Sequence, residues 1–231
     1  GLTLMKEKQN FAAAAQDCMA YLPGMEAIES DILREVQRAS DSVDFNAFTE
    51  RDVKAALMRK HKTVQDFAAL LSPAALPFLE DMAQQARQLT FKWFGAARSI
   101  FTPLYLANYC ENYCVYCGFN CHNKINRLKL DEDGMEREMQ AIAATGLREI
   151  LLLTGESRSM SGVEYIASAV RRARKYFAVV GLEVYPLNSD EYAHLHECGA
   201  DYVTEFQETY VVDAYAKLHL AGHKRVFPYR F

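Results

Sequence analysis

Three cysteines in the stretch YCENYCVYCGF, Cys110, Cys114 and Cys117, stand in a C-x3-C-x2-C spacing. Thiolates are soft ligands, and spacings this short let one loop present three of them to one centre. Two kinds of centre suit them. An iron-sulfur cube held at three corners leaves one iron without a protein ligand, open to a substrate or cofactor. A tetrahedral zinc site needs a fourth ligand, which Cys121 or His122 can supply. A redox-active C-x2-C pair fits less well, because it leaves Cys110 without a task.

Two more polar stretches carry groups fit for chemistry. Thr154-Gly155-Glu156-Ser157 follows the apolar run Glu149 to Leu153, and Gln207-Glu208-Thr209 follows Tyr202 to Phe206. In parallel β/α folds the loops after the strands gather on one face, which carries the active site. The cysteine loop, the Gly-Glu turn and the carboxylate of Glu208 are therefore expected to face one cleft.

The elements that must position them come in two parts. Residues 1–98 read as a helical segment. Ile28, Ile32, Leu33 and Val36 recur at helical spacing, Thr49 caps a helix reaching Lys60, and Pro73 and Pro77 open another that reaches Trp93. Residues 99–231 read as four strand-helix units of about thirty residues each. The strands are expected at Ile100 to Leu106, with Pro103 an awkward member, then at Glu149 to Leu153, Leu182 to Leu187 and Tyr202 to Phe206. Between them lie helices with faces of Met135, Met139 and Ile142, and of Ile166, Val170, Ala173 and Phe177. A helix capped by Ser189 and ended by Gly199 comes next, and then one marked by Val211, Tyr215 and Leu218 that stops near Gly222. Such alternation implies a parallel sheet with right-handed crossovers. An eightfold barrel needs about 250 residues, so this region holds the first half of one and the chain reads as truncated at its C-terminus.

Composition excludes other classes. The net charge is -4 with no basic stretch, which argues against a nucleic-acid partner. No apolar run approaches the roughly eighteen residues of a membrane-spanning helix, and the opening residues lack the pattern of a secretory leader. Four of the six cysteines fall within twelve residues, which suits a metal site in a reducing, cytoplasmic compartment better than a disulfide scaffold.

The motif Cys110-x3-Cys114-x-Tyr116-Cys117 resembles the signature of the radical S-adenosylmethionine enzymes, which hold a [4Fe-4S] cluster in a full or partial barrel. The stretches PLYLANYCENYCVYCGF, LLLTGES, YPLNSDEYAHLHECGAD and FQETY, with His219, Gly222 and Lys224 beyond, resemble the tyrosine lyases of the 2-iminoacetate synthase family. That resemblance covers about residues 95 to 231. It implies that Cys110, Cys114 and Cys117 ligate the cluster, and that S-adenosylmethionine chelates the open iron. Tyr116 and Phe119 then stand where the family contacts adenine. Thr154, Gly155 and Glu156 stand where a Gly-Gly-Glu segment meets the methionyl amine, with Thr154 in place of the first glycine. Glu208 is the candidate catalytic carboxylate, reaching cofactor or substrate. The implied reaction cleaves the Cα–Cβ bond of L-tyrosine to 2-iminoacetate and p-cresol for the thiazole of thiamine. Its implied partners are a flavodoxin or ferredoxin as electron donor and thiazole synthase as receiver of the product. A carbon monoxide- and cyanide-forming relative in hydrogenase maturation is the nearest alternative, and a non-catalytic zinc module the alternative of another class.

Among the remaining residues, Cys121 reads as a loop thiol outside the ligand set, and Cys18 and Cys198 as small apolar residues. Arg127 either lies on a solvated basic face with Lys124 and Lys129, or orders the cluster loop and holds the cofactor. His219 is the histidine best placed for function.

Overall fold

The computed structural model describes residues 17–231, so the helical reading of residues 1–16 lies outside the described residues. The chain divides into two compact units, Ser30–Arg98 and Ser99–Phe231, the latter joined by the described residues before Ser30.

The first unit is helical: α1 Ile32–Asp41, α2 Glu50–Met58, α3 Val64–Leu71 and α4 Leu79–Phe94, with a 3-10 stretch at Pro73–Phe78. Two caps with the same chemistry set the starts of α2 and α3. The Asp52 carboxylate accepts from the Thr49 N–H at 2.8 Å, and the Asp66 carboxylate accepts from the Thr63 N–H at 2.8 Å. Each thereby satisfies a backbone donor that the helix itself cannot. The interior is built from small residues, with Val53, Ala56, Ala69 and Ala75 buried, which lets these helices pack closely. The expected periodicity from Ile28 starts too early, because Ile28 lies in the extended stretch before α1 and is exposed. Proline also acts differently from expectation. Pro73 and Pro77 both lie in the 3-10 stretch, and α4 begins beyond them.

The second unit holds a parallel four-stranded sheet: β1 Phe101–Ala107, β3 Glu149–Thr154, β4 Val179–Glu183 and β5 Tyr202–Val203, in that spatial order. Helices α5 Glu132–Ala144, α6 Val163–Ala173 and α7 Ser189–Glu197 connect the strands, and α8 Val212–Leu218 follows β5. A two-stranded antiparallel ladder, β2 Tyr113–Cys114 with β6 His219–Ala221, stands apart from the sheet, and a short α9 spans Phe227–Arg230. Ile150, Leu152, Val180 and Leu182 face Met135, Met139, Ile166 and Val170 in one continuous core. Burying each such side chain contributes about 1.5–3 kcal/mol. Leu151 and Leu153, on the other face of β3, are buried too, as an all-apolar central strand requires.

The strand expected at Ile100 to Leu106 is present, and four later details depart from the sequence reading. Pro103 sits inside β1, paired in register with Leu151, and is tolerated because β1 lies at the edge of this sheet. The strand expected at Leu182 to Leu187 starts three residues earlier and ends four earlier, since β4 is fixed by pairing Val179 to Glu149 and Glu183 to Leu153. Gly181 lies within it, and its missing side chain makes room for the Tyr202 ring, which a Cβ would approach to 2.3 Å. The cap of α7 is Asn188, whose N–H donates to Glu191 at 2.8 Å, and Ser189 is the first helical residue. Only Tyr202 and Val203 of the last expected strand stand in register with β4, to which the Thr204 N–H also donates at the Leu182 carbonyl, and α8 ends at Leu218, after which His219 opens β6 before Gly222.

Candidate active site

The cysteine loop is stitched to the end of the sheet. The Glu111 N–H donates to the Glu156 carbonyl at 2.8 Å, and the Gly155 N–H to the Ala107 carbonyl at 2.9 Å. Gly155 must lack a side chain, because a Cβ there would lie 2.3 Å from the Tyr109 oxygen. A second clasp comes from far along the chain. Cys114 pairs with His219 in the β2–β6 ladder, and the Val115 N–H donates to the Leu218 carbonyl at 3.0 Å. The third is Arg127, whose guanidinium donates to the carbonyls of Asn108, Phe119 and Asn120 at 2.6, 2.8 and 2.7 Å. Of the two readings of Arg127, the structure supports the one that orders the loop.

A cavity of about 410 Å³ opens at the C-terminal ends of the strands. Cys110, Cys114 and Cys117 line it beside Tyr116 and Phe119. Thr154, Gly155 and Glu156 form a second wall, and Glu208 faces them with Lys224 and Arg230. All the residues singled out from the sequence as cluster-binding, cofactor-binding or catalytic thus border one space.

Its electrostatics are governed by burial at the cysteine end and by ion pairs at the other. Burial pushes the Cys110 thiol up and the Cys114 thiol up to about 12, with the neighbouring thiols adding to the effect. A thiol in such surroundings needs a cation or metal to become a thiolate. The Glu156 carboxylate is buried, accepts from the Asn112 amide at 2.5 Å and pairs with Arg230. Arg230 is itself buried and bridges Glu156 to Glu205. Burial works against its charge, but the two carboxylates outweigh that and raise its pKa. Glu205 is pushed up by burial, with Arg230 opposing.

Glu208 is the single non-glycine residue with positive φ among the described residues, at 72°. Such a backbone costs about 1 kcal/mol or more, and here it turns the carboxylate toward Lys224, 2.7 Å away. Burial raises the Glu208 pKa but Lys224 outweighs it, so the net shift is downward. His219 is fully buried. Its Nδ1 lies 2.9 Å from the Tyr215 carbonyl, which can only accept, so Nδ1 carries the proton. Nε2 is then an acceptor for the Tyr116 hydroxyl at 2.8 Å. Burial depresses the His219 pKa to about 4, which keeps the ring neutral.

The residues fit the cluster and cofactor that the motif implies. One loop presents three thiols to the cavity, and Gly155 makes the close approach of loop and strand possible. Thr154 brings a buried hydroxyl without a protein partner, as a binding site for a polar ligand would have. Among the described residues no three His, Cys, Asp or Glu side chains, the three cysteines included, are already placed to hold a single ion, and the alternative zinc ligand His122 lies against the Tyr113 ring, centroids 4.3 Å apart. Asn112, Glu205 and Arg230 escaped the sequence reading. Asn112 lies between two of the cysteines, so an unexplained amide inside the loop was the available signal. Glu205 and Arg230 carried none, being brought together only by the fold.

No protein-family model matches the chain. It is 40% identical over 201 residues to 2-iminoacetate synthase of Salmonella typhimurium (strain LT2) and 41% identical over 201 residues to that of Escherichia coli (strain K12). Both matches cover 87% of this chain and 53% of the relative, so the chain spans about half the length of the curated relatives it matches. A 3-methylornithine synthase of Methanosarcina acetivorans is 26% identical over 157 residues, covering 67% of this chain and 45% of that protein. Among solved structures, HydG, a maturase of the [FeFe]-hydrogenase, superposes with a TM-score of 0.74 at 25% identity, over 88% of this chain and 46% of its own. Methylornithine synthase (PylB) shares the fold, with a TM-score of 0.56 at 21% identity over 84% of this chain and 54% of its own. The parallel sheet, its connecting helices and the partial coverage agree with half of a β/α barrel of the radical S-adenosylmethionine type. Along the stretch it shares with them, the chain is similar to the 2-iminoacetate synthases.

Proposed function

We propose that this chain carries the cluster and cofactor site of a radical S-adenosylmethionine lyase that cleaves the Cα–Cβ bond of L-tyrosine to 2-iminoacetate and p-cresol. The observation that carries the reading is the meeting of three thiols, Tyr116, Phe119 and Thr154-Gly155-Glu156 in one cavity at the C-terminal end of a parallel sheet. The cluster and S-adenosylmethionine, when bound, supply one-electron bond cleavage and a carbon-centred radical that takes a hydrogen atom from the substrate.

The protein's own residues do the rest. Cys110, Cys114 and Cys117 would hold the cluster. Glu156 would accept hydrogen bonds from the methionyl amine, its carboxylate fixed in the buried wall by Arg230 and Asn112. Tyr116 and Phe119 would line the adenine end. The His219 ring holds the Tyr116 hydroxyl, and Arg127 holds the Phe119 carbonyl. Glu208, kept ionised by Lys224, offers a carboxylate to the cofactor or substrate. Thiazole synthase is the proposed receiver of the product, a flavodoxin or ferredoxin the reductant, and the reducing cytoplasm the compartment. No described helix is long and apolar enough to cross a membrane.

The hydrogenase-maturation relative shares the fold. The 40% identity to 2-iminoacetate synthases, against 25% to HydG, favours the first reaction. Anaerobic reconstitution with iron and sulfide, followed by electron paramagnetic resonance of the reduced protein, tests the site. A [4Fe-4S]⁺ signal altered by S-adenosylmethionine is expected, and a colourless protein with stoichiometric zinc would sink the reading. Formation of p-cresol from L-tyrosine tests the reaction.

A further inference from the structure

Asn112 is an uncharged residue in the cysteine loop, yet its side chain is almost fully buried, at 1% exposure. Its surroundings fix the orientation of the amide. Lys224 presents a backbone N–H at 2.8 Å, which must donate, so the carbonyl oxygen Oδ1 faces it. The amino group Nδ2 therefore points the other way, toward two acceptors. One is the Glu156 carboxylate at 2.5 Å, and the other is the Cys110 sulfur at 3.7 Å. Both hydrogens of the amide are thus used, and the residue's own carbonyl accepts from the Cys121 N–H at 2.9 Å. Gly222 closes the pocket behind it, since a Cβ there would stand 2.3 Å from Oδ1.

We infer that Asn112 is a positioning residue that joins the two halves of the cofactor site, holding the Glu156 carboxylate and donating an N–H···S hydrogen bond that tunes the cluster held by Cys110. The inference rests on the proposed cluster-binding role of Cys110. A hydrogen bond to a ligating sulfur draws electron density from the cluster and favours the reduced form, so it raises the reduction potential. The same amide ties that sulfur to the group that receives the methionyl amine. One side chain therefore senses both the charge of the cluster and the occupancy of the amine pocket.

The test is an anaerobic redox titration of the reconstituted protein beside Asn112→Ala and Asn112→Leu. Asn112→Leu keeps the size, and both variants remove the two donors without adding charge. The cluster assembled in each variant is expected to show a more negative potential than in the unsubstituted protein. Full iron content with an unmoved potential in both would overturn the inference, since a purely structural residue leaves the potential where it was. A second measurement needs no substitution and decides the matter if the variants fail to fold. In the reduced, unsubstituted protein labelled with ¹⁵N-asparagine, pulsed resonance is expected to show a nitrogen coupled to the cluster spin, and no such coupling would likewise overturn the inference. Absence of any iron-sulfur signal in the unsubstituted protein is a different result. It would bring down the cluster reading itself, and this inference with it.

Discussion

At the scale of single residues, the thiols and Glu156 give the sharpest expectations. Replacing Cys114 by Ala should abolish stable iron binding, read as iron and sulfide per chain after reconstitution. A buried thiol whose pKa is pushed to about 12 is held as thiolate only by the metal, so the loss should be nearly complete. Glu156→Gln should keep the cluster but weaken S-adenosylmethionine. A hydrogen bond to a charged group contributes about 1.5–3 kcal/mol, or a roughly ten- to hundredfold rise in Kd. Calorimetric titration of the loaded protein checks it, and an unchanged Kd would remove Glu156 from the site. The cysteine spacing, the Gly-Glu turn and Glu208 were legible in the sequence because each is a local pattern following a strand. Asn112, Glu205 and Arg230 were not, because their meaning lies in partners far along the chain: Glu156 and Arg230 are 74 positions apart.

At the scale of elements, the close approach of β3 to the cysteine loop is testable through Gly155. A methyl group there meets the Tyr109 carbonyl oxygen at 2.3 Å, and backbone cannot step aside as a flexible side chain can. Gly155→Ala should cost about 1–3 kcal/mol and lower iron occupancy, seen by thermal denaturation and metal analysis together. In the helical unit the cap of α3 sets a pH dependence. The Thr63 N–H and its neighbours hold the Asp66 carboxyl below its usual pKa. A group shifted downward on folding contributes stability that is present above its unfolded pKa and lost as pH falls through the folded one. Asp66→Asn should therefore speed hydrogen exchange across α3 at pH 7, with the difference from the parent shrinking below about pH 4. Periodicity found these elements, but it misjudged where pairing decides. The β4 run is set by its register with β3, and the last expected strand is short because its register with β4 ends at Val203, with the Thr204 N–H the last to reach that strand.

At the scale of the whole second unit, a buried ion group links distant parts of the chain. Arg230 near the end of the described chain satisfies Glu156 after β3 and Glu205 after β5. Removing the cation leaves the buried Glu156 carboxylate and the partly buried Glu205 carboxylate without their shared charge partner, a loss of about 3–5 kcal/mol. Arg230→Ala should thus lower the melting temperature far more than substitution of an exposed arginine, and an effect below 1 kcal/mol would show the triad to be solvated in solution. The alternation of strands and helices made the parallel β/α architecture readable beforehand. The ladder between the cysteine loop and residues 219–221 was not, since a two-residue strand leaves no periodic trace.

That ladder imposes an order of events on a nascent polypeptide. Asn112 and Lys224 are 112 positions apart, and Cys114 pairs with His219. While the ribosome is still translating the codons between them, the three thiols have emerged but the strand that clasps them does not yet exist. Delivery of iron and sulfide to the proposed site would accordingly follow the synthesis of residue 224. Nascent chains stalled before residue 219 should leave their cysteines open to alkylating reagents, and chains stalled late enough to free residue 224 should begin to shield them.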